Sequence, residues 1–144
     1  LIMTASCCGG SGETLIFTCA GAAYCGQLAN RVGLQLMQQG VGGLFCIAAV
    51  AAGIGDKSER ARQARERIAL DGCEDQCARK ILEKAGLAVD RHVVLTELGI
   101  EKSPQQPNMI SDARKVVDFV RQGSRATPPA PRGCCGRSAP GEMR

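Results

Sequence analysis

The chain has 144 residues and a mass of 15.1 kDa, with 44% hydrophobic residues, which sets one domain able to bury roughly 68–70% of its unfolded surface without covalent staples. No apolar stretch approaches the about 18 residues of a membrane span, because the longest candidate, Val41 to Ile54, is broken by Gly42, Gly43 and Gly53. Of the formal charge of +4, Arg125, Arg132, Arg137 and Arg144 against Glu142 carry +3, so the body is nearly neutral and lacks the clustered basic face that nucleic-acid binding needs.

The first twelve residues, with Gly9-Gly10-Ser11-Gly12, read as a flexible leader. They show neither a basic n-region nor an apolar h-region, so secretion gains no support and a reducing cytoplasm is the expected compartment. Residues 123–144 hold four of the six prolines and no Val, Ile, Leu or Phe. With nothing to bury they are expected to form a disordered tail, leaving residues 13–122 as the folded body.

Thr14 to Thr18 is an apolar run of buried-strand length. Leu28, Val32 and Leu36 then recur every four residues up to Gly40, which predicts a helix with a glycine stop. Gly43 to Ile47 reads as a second strand, followed by a loop over Ala51 to Gly55. Asp56 with Glu59 three residues on resembles a capping box opening a charged helix to about Glu66. Arg67 to Asp71 is a third strand. The stripe Ala78, Ile81, Leu82 and Ala85, stopped by Gly86, is a helix counted from Glu74. Arg91 to Leu95 is a fourth strand, and after Pro104 and Pro107 Ser111 caps a last helix with the stripe Ala113, Val116, Val117 and Val120. Such alternation predicts a three-layer α/β sandwich around a four-stranded, mainly parallel sheet of order 2-1-3-4. Ligands of such sheets bind beyond the carboxyl ends of the strands, at the switch point between the first and third strands.

Nine cysteines are too few for a disulfide scaffold in a chain of this length, and their number is odd, so several are expected as thiols. Cys19 ends the first strand, Cys46 lies at the end of the second and Cys73 follows the third, so neighbouring strands deliver thiols to one edge. The outer two strand ends stand about 10 Å apart, and a tetrahedral zinc needs its sulfurs within roughly 4 Å, so the thiols must lean inward over the first strand. Cys77, four residues after Cys73, is read as one helical turn further along the same face. Four soft sulfurs select zinc, copper(I) or iron–sulfur over magnesium or calcium. The same thiols also suit redox or sulfur-transfer chemistry with Cys19 or Cys73 as nucleophile, and buried cysteine can be inert core.

The segments Thr18-Cys19-Ala20-Gly21-Ala22-Ala23, Phe45-Cys46-Ile47-Ala48, Leu70-Asp71-Gly72-Cys73 through Cys77-Ala78-Arg79-Lys80, and Leu98-Gly99-Ile100-Glu101-Lys102 resemble the DGC-domain family of zinc-binding proteins over about residues 14–121. The resemblance implies that Cys19, Cys46, Cys73 and Cys77 are the shared cysteines and that zinc is the expected metal. It implies no reaction. Cys25 and the vicinal pairs Cys7-Cys8 and Cys134-Cys135 are additions to that pattern. Cys25 reads as a further ligand, a resolving thiol or core, and the terminal pairs read as spectators that would lose entropy on ordering.

Other candidates have plain structural readings. Asp71-Gly72 is read as the turn that leaves the third strand, with Asp71 as a metal-site acceptor or general base in the alternative. His92, the only histidine, is placed near the start of the fourth strand, at the end of the sheet away from the thiols. No glycine-rich nucleotide fingerprint and no Cys-x-x-Cys motif occurs.

Overall fold

The computed structural model describes residues 12–105 and 108–123. Apart from Gly12 and Gly123, the expected leader and tail lie outside the described residues. Four strands, β1 (Thr14–Thr18), β2 (Gly43–Phe45), β3 (Glu66–Asp71) and β4 (Arg91–Val94), form one sheet in the order β2-β1-β3-β4. Every pairing is parallel: Phe17 stands beside Phe45 and Ala69, and Leu70 beside Val93.

Both faces of the sheet are covered, which is why β1 is buried at every position and reads as a continuous apolar run. Alternation sends Ile16, Ile68, Leu70 and Val93 to one face, where they meet Leu28, Val32 and Leu36 of α1 (Tyr24–Gln38) and Val116, Val117 and Val120 of α5 (Met109–Gly123). Leu15, Phe17, Phe45 and Ala69 face the other way, against Val50 of α2 (Ile47–Ala51), Ala61 of α3 (Gly55–Gln63) and Leu82 of α4 (Cys77–Lys84). The Phe17 and Phe45 rings meet edge to face at 5.5 Å, and the Arg60 guanidinium lies 5.5 Å over Phe45. Helices α1 and α5 run in parallel. The Tyr24 hydroxyl donates to Asp112 Oδ2 at one end, and Arg121 donates to Gln39 Oε1 at the other.

Several local expectations give way to tertiary context. The second strand stops at Phe45, and Ile47–Ala51 turns into the short helix α2. Helix α3 begins at Gly55 with no side-chain cap, because Asp56 pairs with Lys57 and Glu59 accepts from Arg62 and Gln63. Ser111 lies inside the first turn of α5, where its hydroxyl donates to the Asn108 carbonyl. Arg67, at 3% exposure, closes the bottom of the molecule by donating to the carbonyls of Ala61, Arg62, Ala64 and Ala88 while Asp90 neutralises it at 3.4 Å.

Candidate functional site

The carboxyl edge of the sheet gathers thiols from both helical layers. Cys19 follows β1, and its N–H donates to Leu70 O at 2.9 Å, so the β1–β3 pairing continues past the strand and fixes Cys19 beside the end of β3. Cys25 is the second residue of α1 and is buried, while Cys73 follows Gly72 and is half-buried. Cys77 opens α4 on the opposite face of the sheet and is exposed. All are free thiols.

Glycine backbone makes this convergence possible. A Cβ on Gly72 would lie 2.7 Å from the Cys25 carbonyl carbon and 2.7 Å from Gly26 N, and a Cβ on Gly26 would lie 2.7 Å from Gly21 O. The β1–α1 loop, the start of α1 and the turn after β3 therefore rest backbone on backbone. Cys73 packs against the core cluster that contains Cys25.

The electrostatics record the same neighbourhood. Burial pushes the Cys25 thiol above its ordinary value, and Cys73 and then Cys19 push it further. The Cys77 thiol is raised by burial first, then by Cys19, Asp71, Asp75 and Cys73. Cys46 stands apart from this group. It is exposed at the N-cap of α2, one strand further out, with β1 between it and β3. Among the described residues, no three His, Cys, Asp or Glu side chains are arranged to hold a metal ion as they stand.

The spacing Cys73-x3-Cys77 is not a helical turn. Residues 73–76 form a turn closed by Gln76 N–H to Cys73 O at 3.1 Å, and Gln76 takes φ 52° before α4 starts at Cys77. Cys73 therefore faces the α1 layer, while Cys77 heads a helix of the other layer.

Asp71 is more than a turn former. At 1% exposure, its Oδ1 accepts from Ala78 N–H at 2.7 Å, and its Oδ2 accepts from Arg79 N–H at 3.2 Å. It thus caps α4 from six residues upstream of the first helical residue. His92 Nε2 lies 2.9 Å from the same Oδ2. The parallel register sets His92 opposite Ala69, one pleat short of Asp71 on the same face, so the histidine belongs to this edge rather than to the far end of the sheet. Both carboxylate oxygens are thus occupied, and Asp71 takes up the Ala78 and Arg79 N–H groups at the start of α4.

Asp75 and Lys102 complete the rim. Cys73 Sγ donates to Asp75 Oδ2 at 3.3 Å, and Lys102 Nζ donates to the same oxygen at 3.0 Å, with Glu74 at 3.7 Å. The Lys102 ammonium, and after it the Cys73 bond, hold the Asp75 carboxyl below the usual range. Asp75 and Cys73 hold Lys102 above its own. Twenty-seven residues separate Asp75 from Lys102, and no local pattern joins them. The only sequence signal was the presence of Lys102 in the stretch from Leu98.

A doubly wound, all-parallel α/β domain with a thiol cluster at its switch-point edge is thus the class that fold and site define. The DGC domain family matches residues 15–120, and the chain belongs to that family. It is also similar to a protein of Pseudomonas aeruginosa named anaerobic and virulence modulator AnvM, at 31% identity over 120 residues, 83% of this chain and 90% of that protein. No solved structure matches the chain significantly.

Proposed function

We propose that the protein binds zinc, or another soft metal ion, through the thiolates of Cys19, Cys46, Cys73 and Cys77, as a metal carrier or sensor. The observation that carries this reading is the convergence of Cys19, Cys73 and Cys77 at one edge, from the end of β1 and from the turn that joins β3 to α4. The donor set fits a soft ion chemically, since it consists of thiols that are exposed or half-buried and so open to an incoming metal. Cys46 is the fourth donor, from the next strand end. Zinc held by these thiolates would tie the strand ends together. The rest of the work falls to the chain: Asp71 fixes the start of α4 at Cys77, and Lys102 offsets the Asp75 and Glu74 carboxylates that flank Cys73 on the rim. A regulatory role agrees with the relative's name, which calls that protein a modulator.

A second reading rests on the Lys102 ammonium beside Cys73. Cys73, half-buried at the rim beside Lys102 and Asp75, or Cys19 would then act as the nucleophile in redox or sulfur transfer. Elemental analysis of full-length, untagged protein purified under reducing conditions decides between them. Zinc near one equivalent with slow thiol labelling is expected. Metal-free protein with one rapidly labelled thiol overturns the metal reading.

A further inference from the structure

We propose that Cys25 is the internal redox partner of Cys73, and that a hydroperoxide converts the two thiols to a disulfide that withdraws Cys73 from the metal set. The consequence for metal rests on the metal-binding reading above, whereas the disulfide does not.

The pairing follows from how the three segments touch. Gly72 brings the turn after β3 into backbone contact with Cys25 and Gly26, and Cys73 packs on the core cluster to which Cys25 belongs. Cys77 is the poorer partner. It starts a helix on the other face of the sheet, and the Asp71 carboxylate pins that helix start through Ala78 and Arg79. Exposure divides the roles. Cys25 is 1% exposed, so an oxidant in solution meets the half-buried Cys73 first. Nothing in the metal reading uses Cys25.

The chemistry balances with the hydroperoxide as the sole oxidant. The Cys73 thiolate attacks one peroxide oxygen, the O–O bond breaks, Cys73 becomes a sulfenic acid, and the other oxygen leaves as alkoxide or hydroxide. The Cys25 sulfur then attacks the Cys73 sulfur. The S–S bond forms, the S–O bond breaks, and the oxygen departs as water with the Cys25 proton. Two thiols lose two electrons and one peroxide gains them. Cys73 gives up its hydrogen bond to Asp75, which keeps Lys102 as a partner. A buried disulfide forms without any new group entering the core, and dithiol reductants return both thiols.

The test uses reduced full-length protein, wild type and Cys25→Ala, treated with stoichiometric hydrogen peroxide, alkylated with N-ethylmaleimide and mapped by mass spectrometry. Thermal unfolding of the variant confirms that it folds. A Cys25–Cys73 cross-linked peptide, reversed by dithiothreitol, is expected in the wild type. In Cys25→Ala, one equivalent should leave Cys73 as a sulfenic acid with no Cys25 partner, and a second equivalent should take it on to sulfinic acid that dithiothreitol does not recover. Cys25 recovered as the alkylated thiol while Cys73 is joined to Cys19 or Cys77, or is oxidised alone, overturns the inference. In the metal arm, peroxide lowers zinc affinity of the wild type at least tenfold and reduction restores it, while unoxidised Cys25→Ala binds zinc like the wild type. Reduced wild type that takes up no zinc overturns the metal reading alone, and the cross-link map still decides the disulfide.

Discussion

His92 Nε2 and Asp71 Oδ2 lie 2.9 Å apart, and through that contact the edge strand β4 is tied to the carboxylate that caps α4. Three groups depend on Asp71, namely the N–H of Ala78, the N–H of Arg79 and the His92 ring. Asp71→Ala leaves the buried Ala78 N–H without its acceptor and removes the partner of the half-buried Arg79 N–H and His92 ring. It should cost about 2–4 kcal/mol, combining a lost cap with an unsatisfied buried donor. Asp71→Asn keeps one acceptor oxygen and the volume, so its loss should be smaller. Urea unfolding of the two variants measures this, and an Asp71→Ala midpoint equal to the wild type's would show that the carboxylate does not hold the helix start.

Gly72→Ala tests the close approach that gathers the thiols. Its new methyl would sit 2.7 Å from the backbone of Cys25 and of Gly26, neither of which is a flexible side-chain end that can swing away. The backbone must part, at a cost of about 1–3 kcal/mol or more, and the turn carrying Cys73 must move off α1. Gly55→Ala is the control. Nothing lies within 4 Å of its Cβ position, and the residue opens α3, so alanine there should be neutral or stabilising by up to about 1 kcal/mol. Equal thermal midpoints for the two variants would remove the crowding argument.

These two sites mark where sequence reasoning succeeded and where it stopped. The strand order and the two helical layers were legible because apolar runs and helical stripes report burial directly, and Gly40 and Gly86 did end helices at φ 73° and 70°. The helix Ile47–Ala51 was not legible, since five small apolar residues without a polar face resemble the continuation of a strand. Cys73-x3-Cys77 looked helical because the left-handed turn at Gln76 has no glycine to announce it. His92 was assigned to the wrong end because strand register, not sequence position, decides which side chains share an edge. Lys102 and Asp75 meet only through the fold.

Alkaline pH should reveal the Tyr24–Asp112 contact. Burial, and after it the hydrogen bond and charge of Asp112, raise the Tyr24 hydroxyl from 10.0 to about 12. The folded-state value lies above the unfolded one, so the contribution is fully present below pH 10 and is lost as the pH rises through about 12. Tyr24→Phe keeps the ring in the core but removes the donor, and a hydrogen bond to a charged group is worth about 1.5–3 kcal/mol. The variant should be less stable at pH 8 and should lose less stability than the wild type between pH 9 and 12. Parallel stability-versus-pH curves would place the alkaline transition elsewhere.

Metal affinity and folding should separate. The sheet is covered on both faces by its own apolar residues, so the fold does not need an ion in the way a zinc finger does. Chelation by EDTA is therefore expected to lower zinc content without abolishing cooperative unfolding. Within the thiols, Cys73→Ser should weaken zinc binding most, because Cys73 lies beside both α1 and the Lys102–Asp75 pair, and serine is a harder ligand that stays protonated at neutral pH. Cys19→Ser, Cys46→Ser and Cys77→Ser should each weaken it less, and Cys25→Ser should leave it unchanged. A variant in which Cys7, Cys8, Cys134 and Cys135 are all serine should bind as the wild type does. Zinc content and competition with a chromophoric chelator measure the series. If the fourfold terminal variant loses zinc while Cys73→Ser and Cys77→Ser keep it, the donors are the terminal pairs and the edge of the sheet is not the metal site.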